Sequence, residues 1–524
     1  MTRSTPGHVA EPANAPTARP LTRRTFLRGS AAGTLVAGLC LGSRRWVAHA
    51  ATAGRDVAPI PALDGSLVFD PAILAPAADD FGHIVSDAPW AVLFPGSVDD
   101  IVAMVRFAGC HGVRIAGRNA FDDSHSTFGQ SQVEAGIVID MASLSSVPDV
   151  APGDEEIWIE AGARWRDIAA KAFVAGKSAM VFPDYTDLSL GGTLSVGGVG
   201  GQTQRTGFAV DNITALEVVT GNGDRVTCSP RQHEFLFSSV LGGLGQFAII
   251  VRARVRLRAV PPLVRMYAAY YDDVHTFTAD QTRLVTEERF DYLEGSVEPG
   301  EGGAGWVFRL EAGKYFGPGS EPDDDALLAG LSFRPGSASA VDVEYLGFLN
   351  RLDPAVEFLR AIGVWFLPHP WLNLFLPAHA APGLIASFLA RTTSADMGQG
   401  PILIYPFQRA RHNRRYPVLP DAPVCFLVSL LRTAVPPTRE NIDALLATNR
   451  TFFEEARACG GTFYPINALP LTPEDWRTHF GRPLGALLFA LAKQIFDRHR
   501  VLTPGQRIFE LPAPPEPPPA PAEP

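Results

Sequence analysis

The chain has 524 residues, with 45 Lys and Arg against 55 Asp and Glu, 46% hydrophobic residues, 49 glycines and 45 prolines. That apolar content excludes a largely disordered chain, and the net charge of −10 argues against nucleic acid as a partner. The length gives room for two large domains or three ordinary ones, and so for an enclosed ligand site.

At the N-terminus, Thr22-Arg23-Arg24-Thr25-Phe26-Leu27-Arg28 precedes an apolar stretch that ends at Leu41, and Ala48-His49-Ala50 follows as a small-x-small cleavage site. Residues 1–50 therefore read as a twin-arginine signal and residues 51–61 as a linker. The expected route is the twin-arginine export machinery, which moves folded and cofactor-loaded proteins, to the periplasm or the extracellular space. Losing a leader with seven Arg and one Glu leaves 38 basic and 54 acidic residues, about −16 in formal charge. Cys40 leaves with it; Cys110, Cys228, Cys425 and Cys459 are widely separated, form no C-x-x-C pattern and offer no readable metal site.

Val98, Ile101, Val102 and Val105 recur at helical spacing between a Pro95-Gly96 turn and Gly112. Strands are expected over 113–116, 136–140 and 156–161, followed by a helix over 165–175. The apolar runs 215–220 and 225–228 flank Gly221-Asn222-Gly223-Asp224, which predicts a hairpin, and 247–257 predicts a further strand. Pro261-Pro262 interrupts this pattern, so a domain boundary is placed near Val260, beyond which longer, less glycine-rich segments up to about Gly461 carry most of the helix-like periodicity of the chain. A last helix is expected over 483–499, and 512–524, nearly all Pro, Ala and Glu, reads as a solvated polyproline tail.

Three glycine-rich stretches carry the chemistry. They are Ala116 to Gln130, which holds His125, Asp184 to Gly201, and Leu241 to Ile250. Successive backbone N–H groups in glycine turns form anion-binding concavities, and absent side chains allow close approach of a pyrophosphate or a planar ring. The competing reading of each run is tight turn packing. None is a G-x-G-x-x-G after a strand, which disfavours a Rossmann nucleotide site.

Together with Phe290-Asp291-Tyr292-Leu293-Glu294-Gly295-Ser296-Val297, Leu367-Pro368-His369-Pro370-Trp371-Leu372-Asn373-Leu374-Phe375, Gly400-Pro401-Ile402-Leu403-Ile404-Tyr405-Pro406 and Leu502-Thr503-Pro504-Gly505-Gln506-Arg507-Ile508-Phe509, these stretches resemble the cytokinin dehydrogenases, flavoproteins of the vanillyl-alcohol-oxidase type. The likeness runs from about Pro89 to Phe509. It implies an α+β fold: a PCMH-type FAD-binding domain from residues 62–260 and 465–511, with an inserted α+β cytokinin-binding domain over 261–464. It also implies FAD as cofactor, with His125 as the covalent 8α link. Gly117, Arg118, Asn119, Ser126, Gln130, Asp184, Ser189, Ser195, Val199, Ile250, Tyr464, Thr503 and Gln506 would lie near the flavin or its phosphates.

The family removes the N6-isoprenoid side chain of adenines by hydride transfer to flavin, with oxygen or a quinone as electron acceptor. By the resemblance, Asp184 is the catalytic carboxylate that accepts the amine N–H, Glu294 sits at the pocket mouth and bonds the adenine ring, and Trp371 and Asn373 line the substrate cavity. One departure stands out. Family loops run Arg-Gly-x-Gly-His-Ser, whereas Arg118 here is followed by Asn119-Ala120-Phe121-Asp122-Asp123-Ser124 before His125, with two glycines missing and two carboxylates added. Two alternatives stay open at this point: a secreted flavin oxidase of an alcohol or carbohydrate, and a flavin- or purine-binding protein without turnover.

Overall fold

The computed structural model describes residues 45–47, 56–119, 125–303, 305–481 and 484–509. Arg23, Arg24, the Ala48-His49-Ala50 site, residues 120–124 and the 512–524 tail lie outside the described residues. The described residues fall into two units, one holding residues 45–47 and 56–60 and the other beginning at Pro61. In the first, Arg45–Val47 pairs antiparallel with Asp56–Pro59. Everything below concerns the second.

Three sheets follow one another along the chain. The first joins β1 (Ser66–Val68), β2 (Ala91–Phe94), β3 (Ile115–Arg118) and β4 (Ile137–Asp140) in the order β1-β2-β4-β3, parallel except for the β1/β2 pair. Each residue of β4 is buried, as a parallel strand covered on both faces requires. Helix α1 (Val98–His111) buries Ile101, Met104, Val105 and Ala108 and stops at Gly112, whose φ of 68° is the left-handed cap that the sequence marks.

The second sheet is antiparallel, β8-β7-β9-β5, from β5 (Glu156–Glu160), β6 (Lys177–Ala179), β7 (Ile213–Thr220), β8 (Arg225–Cys228) and β9 (Ala248–Ala259), with β6 paired to β9. The expected hairpin is β7/β8, in register Arg225 with Val219. Helices α2 (Trp165–Val174) and α3 (Leu190–Val196) accompany it, joined where Trp165 Nε1 donates to Thr193 Oγ1 at 2.9 Å.

The third sheet supplies the strands of the inserted α+β region, whose positions the hydrophobic pattern of the sequence does not mark. Its eight antiparallel strands are β10 (Leu263–Tyr271), β11 (Tyr292–Pro299), β12 (Trp306–Phe316), β13 (Ser339–Glu344), β14 (Leu372–Pro377), β15 (Ile402–Gln408), β16 (Val424–Leu430) and β17 (Thr462–Phe463), in the order β13-β10-β12-β11-β15-β16-β14-β17. The strands escaped notice because several face a cavity with polar residues. Glu294 and Ser296 on β11 oppose Glu311 and Arg309 on β12, so period-2 hydrophobicity is broken where the sheet is buried. Helices such as α5 (Arg439–Ala458), with Ile442, Leu445, Phe452 and Phe453 on its buried side, supplied the stronger periodicity; the shorter α4 (Asp353–Ala361) lies at the cavity.

The chain then closes on its beginning through α6 (Leu484–Phe496). Ile115 N donates to Val501 O and Thr503 N to Ile115 O, each at 2.8 Å. Lys493 Nζ is buried 2.8 Å from Asp497 Oδ2 and donates to Gln246 O at 2.8 Å and Leu502 O at 3.0 Å, while Asp497 accepts the N–H groups of Val501 and Leu502. An ion pair taken out of water is tolerable when its remaining hydrogen bonds are filled in this way. Among the described residues no helix is long and apolar enough to cross a membrane, and Cys110, Cys228, Cys425 and Cys459 are unpaired, the first and last of them exposed.

Candidate active site

A single cavity of about 940 Å³ brings together every residue singled out in the sequence: His125, Ser126, Gln130, Gly117, Arg118, Asn119, Asp184, Ser189, Ser195, Val199, Ile250, Tyr464, Thr503, Gln506, Glu294, Trp371 and Asn373 all line it. These come from strands of all three sheets, from the loops and the helix between them, and from the returning C-terminal segment. The size is near the upper end for small-molecule sites.

At one end His125 is packed among aromatic rings. Its imidazole stacks on Tyr185, centroids 4.6 Å apart and planes 9° apart, with Phe81 at 4.3 Å and Trp371 edge-on at 5.3 Å. Burial, with smaller contributions from His369 and Arg360, pushes the imidazole down to about 3, so it is neutral near pH 7. The loop that carries it is fixed by Phe81 N donating to Ser126 O at 3.0 Å, by the Ser126–Ser131 hydroxyl pair at 2.6 Å, and by Gln130 Nε2 donating to Pro465 O.

Here the chain offers groups with nothing to bind. His125 Nε2, Asn119 Oδ1 and Gln506 Oε1 are buried without a hydrogen-bond partner. A Cβ at Gly117 would meet no atom within 4 Å and would project into the cavity. Unsatisfied buried polar atoms around open space are what a polar, many-atom cofactor such as FAD fills.

The other glycines divide differently from the sequence reading. A Cβ at Gly200 would lie 1.8 Å from Phe182 O, at Gly201 2.3 Å from the Tyr292 ring, and at Gly243 2.0 Å from Ser239 O. Those three serve close packing inside the protein, against backbone at Gly200 and Gly243 and against a side-chain ring at Gly201, not ligand approach. Of the same runs, Gly191, Gly192, Gly198 and Gly245 border the cavity.

At the other end is a charged cluster. Asp184 Oδ1 accepts from Arg351 Nη2 at 2.6 Å and from Tyr292 Oη at 3.1 Å, and Oδ2 accepts from Tyr405 Oη. Glu294 Oε1 lies 3.6 Å from the same Arg351 nitrogen, and its Oε2 is buried without a partner. Burial, then the neighbouring Asp184 charge, raises the Glu294 carboxyl well above the usual carboxylate range and so favours its protonated form. Glu294 is therefore no pocket-mouth charge: its side chain is 9% exposed, on a strand interior, beside Asp184.

Asn373 does more than line the cavity. Its amide nitrogen donates to Ile466 O and its backbone N–H to Asn467 Oδ1 at 2.6 Å, while its carbonyl accepts from Tyr464 N at 3.0 Å. It holds the 464–467 loop, which presents Tyr464; the Tyr464 hydroxyl in turn accepts from Gly198 N at 3.1 Å.

Comparison with known proteins gives this arrangement its context. The family "Cytokinin dehydrogenase 1, FAD and cytokinin binding" matches residues 301–509, and the family "FAD binding domain" matches 89–229. Cytokinin dehydrogenase 9 of Oryza sativa subsp. japonica is 36% identical over 86% of this chain and 91% of its own, and cytokinin dehydrogenase 2 of Arabidopsis thaliana 33% identical over 85% and 94%. The chain belongs to the cytokinin dehydrogenase family. A 38% identical bacterial relative, "Uncharacterized oxidoreductase ORF5 in fasciation locus" of Rhodococcoides fascians, matches over 83% of this chain and 97% of its own.

Solved structures carry the same fold at lower identity. 6-Hydroxy-D-nicotine oxidase from Arthrobacter nicotinovorans superposes with a TM-score of 0.64 at 21% identity over 84% of this chain and 97% of its own, and the flavoprotein MtVAO615 of Myceliophthora thermophila C1 with 0.64 at 18% over 79% of each. As a cytokinin dehydrogenase family member the protein is an FAD-dependent oxidoreductase of vanillyl-alcohol-oxidase-type fold.

Three residues of the charged end were missed in the sequence: Tyr292, Arg351 and Tyr405. Both tyrosines stand inside quoted family segments, next to or near residues already singled out, and a polar aromatic in a buried strand is a usable signal. Arg351 has none, since it follows the short helix Tyr345–Leu349 in a stretch without a motif.

Proposed function

We propose that the protein oxidises N6-isoprenoid adenines, removing the side chain as an aldehyde after hydrolysis of an imine. The observation that carries this reading is one cavity with a neutral imidazole whose Nε2 has no partner at one end and, at the other, a buried carboxyl pair, Asp184 held by Arg351 and Glu294 raised toward its protonated form. Bound FAD supplies the hydride acceptor. Asp184, with both oxygens already held by Arg351, Tyr292 and Tyr405, is fixed in place to accept the amine N–H as positive charge develops on nitrogen. Protonated Glu294 is a hydrogen-bond donor suited to an unprotonated ring nitrogen of a purine. Trp371, whose indole borders the cavity, offers an apolar face to a planar ring or a flat isoprenoid chain.

His125 is the proposed covalent anchor of FAD. Support comes from its buried Nε2, which has a free lone pair or proton and no partner, in a ring kept neutral and therefore nucleophilic. Oxygen or a quinone is proposed as the final acceptor, and the Arg23-Arg24 leader as the export signal, carried by the sequence alone.

Two measurements test the reading. Anaerobic mixing with isopentenyladenine is expected to bleach the yellow protein; failure to bleach, with bleaching by a sugar or an alcohol, would replace amine oxidation by another oxidase activity. Acid precipitation is expected to leave the colour in the pellet, and in the supernatant for His125→Ala.

A further inference from the structure

We propose that Arg351 is a positioning residue that fixes Asp184 and cancels its charge, so that the reacting end of the cavity takes neutral arylamines and turns away cationic alkylamines. Its position is over-determined. The guanidinium carbon stands 4.8 Å over the Tyr292 ring and 5.0 Å over the Phe348 ring, so stacking on two sides sets the plane of the fork. One nitrogen of that fork reaches Asp184 Oδ1 at 2.6 Å, Tyr292 Oη, and Glu294 Oε1 at 3.6 Å.

The backbone on either side is tied to the same turn that carries Asp184. Thr186 Oγ1 donates to Asn350 Oδ1 at 2.9 Å, and Arg166 bridges Asp187 and Asp353, each at 2.8 Å. Three neighbouring side-chain links therefore lock the 184–187 turn to the 350–353 turn, and the innermost is the Arg351–Asp184 pair.

The charge count gives the consequence. Asp184, paired with Arg351, contributes one negative charge and Arg351 one positive, while Glu294, whose Oε2 is buried without a partner and whose Oε1 stands 3.6 Å from the same Arg351 nitrogen, is favoured in its neutral form. Tyr292 and Tyr405 are held neutral by burial, and Glu311, the cross-strand neighbour of Glu294, is paired with Arg309. The reacting end is thus neutral overall. A dialkylamine, protonated near pH 7, would give up its hydration there for no net attraction, whereas the N6 nitrogen of an adenine carries no charge to desolvate. Without Arg351 the same end would hold a bare carboxylate and attract cations.

The substrate identity used here rests on the cytokinin-oxidation reading; the charge argument does not. The test compares flavin-loaded wild type with Arg351→Met and Arg351→Lys. Three readouts apply: anaerobic flavin bleaching by isopentenyladenine against pH, affinity for dibutylammonium as a dead-end ligand, and infrared titration of the buried carboxyls. In Arg351→Met the acid limb of the bleaching rate is expected to move to higher pH by about one unit or more, because the carboxylate loses its cation. Dibutylammonium is expected to bind at least about tenfold more tightly to it, the pocket having gained a net negative charge.

Arg351→Lys keeps the charge but loses the planar fork, so it should retain amine exclusion and the limb position while kcat falls by about tenfold or more and KM moves little. An Arg351→Met protein with unchanged limb and unchanged amine affinity would overturn the proposal. Should that variant not fold, a folded Arg351→Lys protein with wild-type kcat, or with newly tight dibutylammonium binding, would overturn it instead. If isopentenyladenine bleaches nothing, the functional reading falls alone, since amine affinity and the infrared titration need no turnover and still decide the role of Arg351.

Discussion

The two ends of the cavity solve the problem of burying polar chemistry in opposite ways. Around His125 the walls are aromatic and the imidazole is made neutral; around Asp184 charge is retained and met by an arginine and two tyrosine hydroxyls. Desolvation acts at both, but a base can shed its proton, whereas a carboxylate that must stay charged needs partners. Packing should therefore dominate the consequences of substitution at the first end and charge at the second.

The sharpest way to break this contrast is at Asp184. Asp184→Asn keeps shape and removes the acceptor charge, and bleaching by isopentenyladenine is expected to slow about 10²–10⁴-fold with flavin still bound. Loss of flavin with normal residual chemistry would make the residue structural. Phe81→Ala does the converse: Phe81 is 5% exposed and contacts His125, His369 and Trp371, so the variant should lose about 3–5 kcal/mol by chemical denaturation. Whatever yellow fraction folds should keep the pH dependence of the wild type.

Glu294→Gln is expected to be milder than Asp184→Asn by at least about tenfold in bleaching rate, since a neutral amide replaces a group that is already neutral. Equal losses would mean that Glu294 is charged.

A smaller effect separates the two ends by pH. His125 and His369, pushed down to about 3 and about 4, sit below their unfolded value near 6.5, so the unfolded chain binds more protons and their contribution to stability is lost as pH falls from about 6.5. Glu294 has the opposite sign: raised above its unfolded value, it contributes most at low pH and less as pH rises through its folded value. Hydrogen exchange of the apoprotein, corrected for intrinsic rates, should therefore show protection falling around residues 81–84 and 125–131 before β11 as pH drops from about 6.5 to about 4.5. Simultaneous loss at both ends would erase the distinction.

Much of the cofactor end was legible because its parts sit in runs of recognisable type, each long enough to carry a motif: 116–130, 184–201, 241–250 and 502–509. The charged end was legible only in halves. Asp184 and Glu294 are found by resemblance, but what makes them a pair is Arg351, which no spacing in the chain links to either, because the contact depends on how a turn at 350–353 lies against a turn at 184–187. Glycine density misled in part, since backbone-to-backbone packing at Gly200 and Gly243 leaves the same trace in sequence as a ligand cradle. The third sheet was hidden for a related reason. A strand that lines a polar cavity on its inner face does not alternate as a strand with a dry core does.

The buried Lys493–Asp497 clasp has a consequence for how the protein is made. It pins the segment bearing Thr503 and Gln506 against Gln246 and Ile115, so the wall of the cavity is completed by a segment that follows all three sheets in the chain. A chain synthesised only as far as the third sheet still has one side of the vessel open, so prosthetic-group insertion waits for this returning segment. A stop codon anywhere before Lys493 would then yield a colourless protein, however well the three sheets had formed.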